Sequence, residues 1–288
     1  MKKILIHLES GPKASVFDQI AAYDAGTDNI IAYGGVTPDD VQDLVYGAMF
    51  TRGGEELKNT AVFIGGTDVV EAEGIFERTL NTFFGPLRVS VMFDANGSNT
   101  TAATAVAKMM TAMKDPAGKK AVVLAGTGPV GVRAAILLAE EGLKTYLSSR
   151  KLSRAEEVCK RIKDKYGVDV LPLEVNDDDS CKKALDGAAI AFCTGKPGIV
   201  LVKKEIWSSL PQLEVLADVN AVDPTGVEGL KVTDDGKVRE GKTVFGAIGI
   251  GNTKMKVQYQ AVASLFTRND LVLDFREIYK IACEICGR

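Results

Sequence analysis

Histidine is almost missing from this chain: there is one, His7, in 288 residues. Sites assembled from several imidazoles, zinc centres among them, are therefore excluded, and Ser-His-Asp hydrolysis survives only if His7 is the base. A basic surplus is also lacking. Thirty-five Lys and Arg face 38 Asp and Glu, for a net charge of −3, and a nucleic-acid partner is not expected without cations to displace counterions from phosphates. The five cysteines, Cys159, Cys181, Cys193, Cys283 and Cys286, are odd in number and scattered, so they make no disulfide framework. Cys283 and Cys286 have the spacing of a redox or metal pair, but no second pair or histidine accompanies them, and both fall in a helical pattern. No metal site is expected. Long apolar runs are missing too: the stretch after Met1-Lys2-Lys3 is far too short for a signal peptide or a membrane span. These absences describe a reduced, cytoplasmic chain with no membrane partner.

What is present is an ordinary α/β composition, 46% hydrophobic and 25% charged with 29 Gly and 9 Pro. The length exceeds what one core comfortably fills and suits two domains. Apolar runs of strand length at 3–8, 29–33, 61–64 and 87–93 alternate with helix-period segments at 15–23, 37–49 and 68–84. Thr37-Pro38-Asp39-Asp40 carries the marks of a helix start, with Thr37 as N-cap. A second series follows the helix at 99–113 and the breaker at 115–118. Its strands are expected at 121–125, 145–148, 168–171, 189–193 and 215–218, and its helices at 130–141, 152–166 and 177–185. Residues 220–243 read as loop with a short hairpin. Two last helices, 254–266 and 274–286, are expected to return to the first domain. The expected plan is α/β with two parallel-sheet domains, residues 1–112 plus 252–288 and residues 113–251.

The clearest motif is Gly126-Thr127-Gly128-Pro129-Val130-Gly131, which follows the strand at 121–125 and opens the apolar helix after it. The spacing alone is weak; between a strand and a helix it is the dinucleotide fingerprint of a Rossmann-type domain. Gly126 permits the tight turn, Gly128 lets the backbone approach a pyrophosphate, and Gly131 lets the helix pack on its strand, whose neighbouring N–H groups face the anion. Arg150 lies nineteen residues past Gly131, where an NAD site carries an acid for the ribose 2′-hydroxyl. The chain instead has Ser149-Arg150-Lys151 with Arg154 nearby. Cations there suit a 2′-phosphate, which Arg150 can grip bidentately, so NADP is the expected cofactor.

Oxidising an alcohol needs a base for its proton, usually His, Lys or Tyr, or a zinc ion. Removing hydride from a carbon between two nitrogens leaves a resonance-stabilised cation and moves no proton. A chain this poor in histidine fits that second chemistry, although the shortage selects no particular substrate.

A wider set of segments points further. Ser15-Val16-Phe17-Asp18, Tyr23-Asp24, Thr51-Arg52-Gly53-Gly54, Phe93 through Ala103, the glycine turn, and Phe245-Gly246-Ala247-Ile248-Gly249-Ile250-Gly251 together resemble the bacterial NADP-dependent methylene-tetrahydromethanopterin dehydrogenases of methylotrophs. The likeness spans essentially the whole chain. It implies hydride transfer between methylene- and methenyl-tetrahydromethanopterin in formaldehyde oxidation, with methylene-tetrahydrofolate accepted by some members. It also implies a Rossmann domain inserted into a pterin-binding domain, and homo-oligomers, commonly trimers. The family's lysine after the Gly-Ile-Gly segment matches Lys256, for which the resemblance implies a place at the pterin. A cation beside a developing carbocation is electrostatically unhelpful, so positioning or hydrogen bonding is its expected role. Asn252-Thr253 departs from the small or apolar residues of the family.

The loop Asp94-Ala95-Asn96-Gly97-Ser98-Asn99-Thr100-Thr101 follows a strand and precedes a helix. Ligands of α/β sheets bind at the carboxyl ends of strands, so Asp94, Asn96, Ser98, Asn99, Thr100 and Thr101 are candidate pterin contacts. Ser98 or Asn99 is also a natural N-cap. Lys13 and Asp18, just after the first strand, are further candidates, whereas His7 inside it reads as a core or sheet-face residue. Two alternatives stay open at this stage: a tetrahydrofolate- or shikimate-dehydrogenase-like NADP enzyme, the latter using Lys13 with Asp18 as its base pair, and an NADP sensor without turnover.

Overall fold

A computed structural model describes residues 1–288. The chain forms two compact units, residues 1–100 with 255–281 and residues 101–254 with 282–288. The first contains β1 (Ile4–Glu9), α1 (Val16–Asp24), β2 (Asn29–Tyr33), α2 (Val41–Phe50), β3 (Thr60–Gly65), α3 (Val69–Thr82), β4 (Ser90–Phe93) and the start of α4 (Ser98–Thr111). The second continues α4 and adds β5 (Lys120–Leu124), α5 (Pro129–Glu140), β6 (Lys144–Ser149), α6 (Leu152–Tyr166), β7 (Leu171–Glu174), α7 (Asp178–Leu185), β8 (Ala188–Cys193), α8 (Lys204–Ser208), β9 (Val215–Asp218) and the hairpin β10 (Asp235–Arg239) and β11 (Lys242–Phe245). Helix α9 (Ala247–Ser264) then carries the chain back to β12 (Val272–Leu273) and α10 (Phe275–Cys286). The divisions fall inside α4, α9 and α10, at Thr100, Lys254 and Ile281. They differ from the expected boundaries at 112 and 252 because continuous helices, not linkers, join the units.

The first sheet has the order β12-β4-β3-β1-β2 and is parallel throughout. Every residue of β3 is buried, as a parallel strand covered on both faces requires. On one face Ile6, Leu8, Val62, Ile64 and Val91 pack against Val41 and Val45 of α2 and Ile75 and Phe76 of α3. The rings of Phe76 and Phe93 stack there with centroids 5.1 Å apart. Full burial of each large apolar side chain contributes roughly 1.5–3 kcal/mol.

The second sheet has the order β10-β11-β9-β8-β5-β6-β7. Setting aside the antiparallel edge strand β10, this is the doubly wound order 3-2-1-4-5-6, with its switch point between β5 and β8. Its core joins Val122, Ala191, Leu216 and Val244 to Trp207 and Leu210. Trp207 donates its indole N–H to the carbonyl of Glu228 at 3.0 Å.

Several elements depart from the sequence expectation. Helix α2 starts at Val41 instead of 37, because the Asp40 carboxylate accepts from both the N–H and hydroxyl of Thr37 and closes a separate turn. Strand β7 begins at Leu171, three residues later than the apolar pattern predicts, and the short elements α8 and β12 have no counterpart in that pattern. Helix α9 begins at Ala247, within the glycine-rich segment. A Cβ on Gly246 would lie 2.2 Å from the Lys231 carbonyl oxygen, and one on Gly249 2.1 Å from that of Asp234. These glycines are close-approach positions, which outweighs their poor helix propensity.

Candidate active site

In the second unit the glycine turn sits at the carboxyl end of β5. Ala125 adopts φ +49°, and the N–H groups of Ala125 and Gly126 donate to the Ser148 hydroxyl and carbonyl at 3.1 and 2.9 Å. The three glycines have separate physical reasons. A Cβ on Gly126 would meet Val123 and Leu147 side chains at 2.9 Å, and one on Gly131 would lie 2.5 Å from the Cα and oxygen of Gly126. Gly128, the N-cap of α5, has no atom within 4 Å of its Cβ position. The backbone is thus packed tightly behind the turn and open in front of it. Thr127, Gly128 and Val130 are half-buried and Pro129 is exposed at the first helical position. That geometry fits a pyrophosphate received on backbone N–H groups at the start of a helix.

At the end of β6, Ser149 is half-buried and its hydroxyl accepts from the Lys151 N–H at 3.5 Å, while the exposed side chains of Arg150 and Lys151 make no ion pair or hydrogen bond. Arg154 is drawn to Glu157, 2.7 Å away on the next turn of α6. Two further residues complete this end of the sheet and carried no sequence signal beyond their place after a strand. Glu174, ending β7, accepts from the Leu152 N–H at 2.8 Å and so occupies the first free donor of α6. Thr194, following β8, donates its hydroxyl to the Leu124 carbonyl at 3.1 Å and braces the turn.

Asp218, ending β9, is buried and accepts from the N–H groups of Asn220 and Val227 at 2.9 and 3.0 Å. Burial pushes its carboxyl above the ordinary value of 3.8, and those backbone donors oppose the rise. Burial likewise lifts the thiols of Cys159 and Cys181 to about 11, so they stay protonated. Thr253, one of the two departures from the resembled pattern, accepts from Lys108 at 2.9 Å; Lys108 also pairs with Asp235 at 2.7 Å.

In the first unit the loop after β4 is turned inward, contrary to the expectation of a ligand-facing row. Asp94 is fully buried: one oxygen accepts from the N–H groups of Asn99 and Thr100 at 2.9 and 3.0 Å, the other from the Thr100 hydroxyl at 2.6 Å. Ser98 donates to the Ala95 carbonyl, and Asn99 donates to Phe93 O and Asp274. The reason is the free donors at the start of α4, which a buried helix end must satisfy. Asn96 is the exposed member, held at φ +52°, and Thr101 is half-buried within α4. Lys13 is exposed and unpaired. Asp18 does not pair with Lys13; it accepts from Gln258 of α9 at 2.9 Å. Lys256, two residues before Gln258, is exposed, with no ion pair. No group of three His, Cys, Asp or Glu side chains is arranged to hold a metal.

A doubly wound sheet with an open glycine turn, joined to a second parallel sheet of order 2-1-3-4-5, defines a two-unit α/β protein with a Rossmann-type domain. Solved structures share that fold: a shikimate 5-dehydrogenase from Listeria monocytogenes, described as bound to shikimate and NAD, matches at TM-score 0.52 with 15% identity over 97% of this chain and 96% of its own. A 5-ketofructose reductase from Gluconobacter matches at 0.52 with 16% identity over 99% of both chains. At such identities they speak for the fold alone. The family description "Methylene-tetrahydromethanopterin dehydrogenase, N-terminal" matches residues 16–96. Two proteins of Methylorubrum extorquens are similar over the full length: "Bifunctional protein MdtA", 45% identical over 99% of both chains, and an "NAD(P)-dependent methylenetetrahydromethanopterin dehydrogenase", 33% identical over 100% of both. The chain belongs to the methylenetetrahydromethanopterin dehydrogenase family.

Proposed function

We propose that the protein is an oxidoreductase transferring a hydride from methylene-tetrahydromethanopterin to NADP, with methylene-tetrahydrofolate as a second donor. The observation that carries the reading is the pairing, in a chain of this family, of an open Gly128 with the unpaired cations Arg150 and Lys151. The bond broken is a C–H of the methylene carbon between two nitrogens. Its electron pair leaves with the hydrogen, and the carbon becomes the methenyl cation, stabilised by both nitrogens. NADP, when bound, supplies the hydride acceptor. No proton is exchanged, which suits a chain with one histidine buried in a strand.

What the residues must supply is binding, alignment and exclusion of water. Backbone N–H groups of Gly128, Val130 and Gly131 receive the pyrophosphate, Pro129 having none to offer, while Ser149, Arg150 and Lys151 receive the 2′-phosphate. Arg154 joins them by exchanging Glu157 for the phosphate. In the first unit Lys13, Asn96 and Lys256 have accessible polar groups for the pterin, and Lys256 acts by hydrogen bonding and positioning. Asp18 contributes through its bond to Gln258, which fixes α9 and so the position of Lys256.

The reading includes a homo-oligomer, a trimer by the family resemblance. Val16, Phe17, Ile20 and Tyr23 expose an apolar face on α1, and Ile31 and Tyr33 are exposed on the edge strand β2, a surface that favours burial by another subunit. It also includes a cytoplasmic location; no helix is long and apolar enough to cross a membrane. The test is the methenyl absorbance formed by purified protein with NADP and each methylene-pterin. An increase with methylene-tetrahydromethanopterin is expected, and no increase with either pterin overturns the reading.

A further inference from the structure

The single histidine sits beside a buried acid at the switch point of the first sheet. His7 and Glu9 share one face of β1, are 1% and 3% exposed, and bring Nε2 to 3.4 Å from Oε2. Neither is well satisfied: Nε2 has no hydrogen-bond partner, and the Glu9 side chain is bonded only through Oε1, which accepts from the Gly11 N–H at 3.2 Å. Such a pair costs free energy in a strand that could have been wholly apolar. The opposing strand makes room for it. A Cβ on Gly65 would lie 2.8 Å from Glu9 Oε2 and 2.9 Å from His7 Nε2.

The pair lies under a turn fixed from both sides. Val36 N–H donates to Glu9 O at 3.0 Å, Gly35 N–H to Gly11 O at 2.6 Å, and Ser10 N–H to Gly65 O at 3.4 Å. Gly66 leaves space that the Ser10 hydroxyl fills, since a Cβ there would lie 2.1 Å from it. The turn ends at the exposed, unpaired Lys13. It emerges between β1 and β3, where the order 2-1-3-4-5 reverses direction and where such sheets bind ligands.

We propose that Glu9, backed by His7, is a positioning residue that holds the Ser10–Lys13 turn as the pterin-binding edge of the first unit. This rests on the pterin reading above. Glu9 acts through the Gly11 amide, and His7 keeps the Glu9 carboxylate turned toward that amide.

A chain with one histidine allows a direct test, because [15N]histidine labelling gives a single imidazole to observe. Tetrahydromethanopterin, which lacks the reacting carbon, is titrated into the full-length protein. The His7 ring signals are expected to move with the pterin and to stay in place with NADP alone. In parallel, Glu9→Gln is expected to raise the KM for methylene-tetrahydromethanopterin about tenfold, the equivalent of about 1.4 kcal/mol. Its kcat and KM for NADP should stay within about twofold, a split that general loss of structure would not produce. Stationary signals at saturating pterin in an enzyme that turns over overturn this inference and leave the function standing. Moving signals without turnover retain the binding edge and overturn hydride transfer; stationary signals without turnover overturn both. If Glu9→Gln does not fold, the titration of the native protein decides alone.

Discussion

Gly131→Ala and Gly128→Ala each add one methyl, and the structure assigns them different consequences for stability and the same direction for NADPH binding. A Cβ at residue 131 lies 2.5 Å from the Cα and carbonyl oxygen of Gly126. Carbon atoms rest at about 3.5–4.0 Å, so α5 must retreat from the turn by about 1 Å. The obstruction is backbone on both sides and cannot rotate away. Overpacking of this kind costs about 1–3 kcal/mol, a drop of roughly 2–10 °C in Tm for a chain of this size. The retreat would also lengthen the proposed N–H contacts to the pyrophosphate, each worth about 1.5–3 kcal/mol, so NADPH should bind about tenfold to a hundredfold more weakly. At residue 128 the added methyl meets nothing within 4 Å, and φ −82° suits alanine. Gly128→Ala should therefore keep its Tm within about 1 °C yet weaken NADPH, since the methyl occupies the space the phosphates need. Thermal unfolding and NADPH fluorescence titration of the two variants provide the assay. Native affinity in either variant would refute the assignment of this turn as the anion site.

Four more outcomes are expected. Ser149→Asp puts a carboxylate at the proposed 2′-phosphate site and should raise the KM for NADP at least about tenfold; an unchanged KM contradicts the specificity argument. Lys256→Met should lower kcat/KM for the pterin about tenfold or more while NADPH affinity and Tm stay native, and a native kcat/KM removes Lys256 from the site. Asp94→Ala removes the acceptor of two buried N–H groups and the nearer acceptor of the Thr100 hydroxyl, which keeps the Gly97 carbonyl at 3.3 Å, and should cost about 2 kcal/mol or more in urea unfolding; a loss under about 1 kcal/mol contradicts the loop account. Asp218 holds its proton more tightly folded than unfolded, so its contribution is fully present below 3.8 and is lost as pH rises through its raised folded value. The stability of Asp218→Asn relative to the native protein should therefore improve from pH 4 to 7; a constant difference in urea midpoint contradicts this.

The alternation of elements was readable because parallel strands buried on both faces are continuous apolar runs. Lys120–Leu124 and Ala188–Cys193 needed only apolarity and a following glycine or threonine. Helix α9 starts earlier than the sequence predicts because local propensity argues against helix at Gly246, Gly249 and Gly251, while the carbonyls of Lys231 and Asp234 that require glycine at 246 and 249 lie elsewhere in the sequence. The short strand β12 could not be found from two residues; its pairing with β4 supplies it. The glycine turn is legible because its three glycines, the strand before them and the helix after them form one continuous stretch of sequence. The loop at Asp94 was not, because amides and hydroxyls that suit a pterin suit the start of α4 equally, and only the hydrogen bonds distinguish the two. Glu174 reaches the start of α6, 22 residues back, and Thr194 the end of β5, 70 residues back, so their contacts become visible only once the fold is known.

Hydride transfer without acid–base catalysis is tested most directly by following the methylene hydrogen itself. Methylene-tetrahydromethanopterin deuterated at its reacting carbon is incubated with the protein and NADP, and the reduced nucleotide is analysed by mass. One deuterium per NADPH, with none released to water, is the expected result. Unlabelled NADPH with deuterium in the solvent would contradict direct transfer and would require a proton-carrying residue absent from this account.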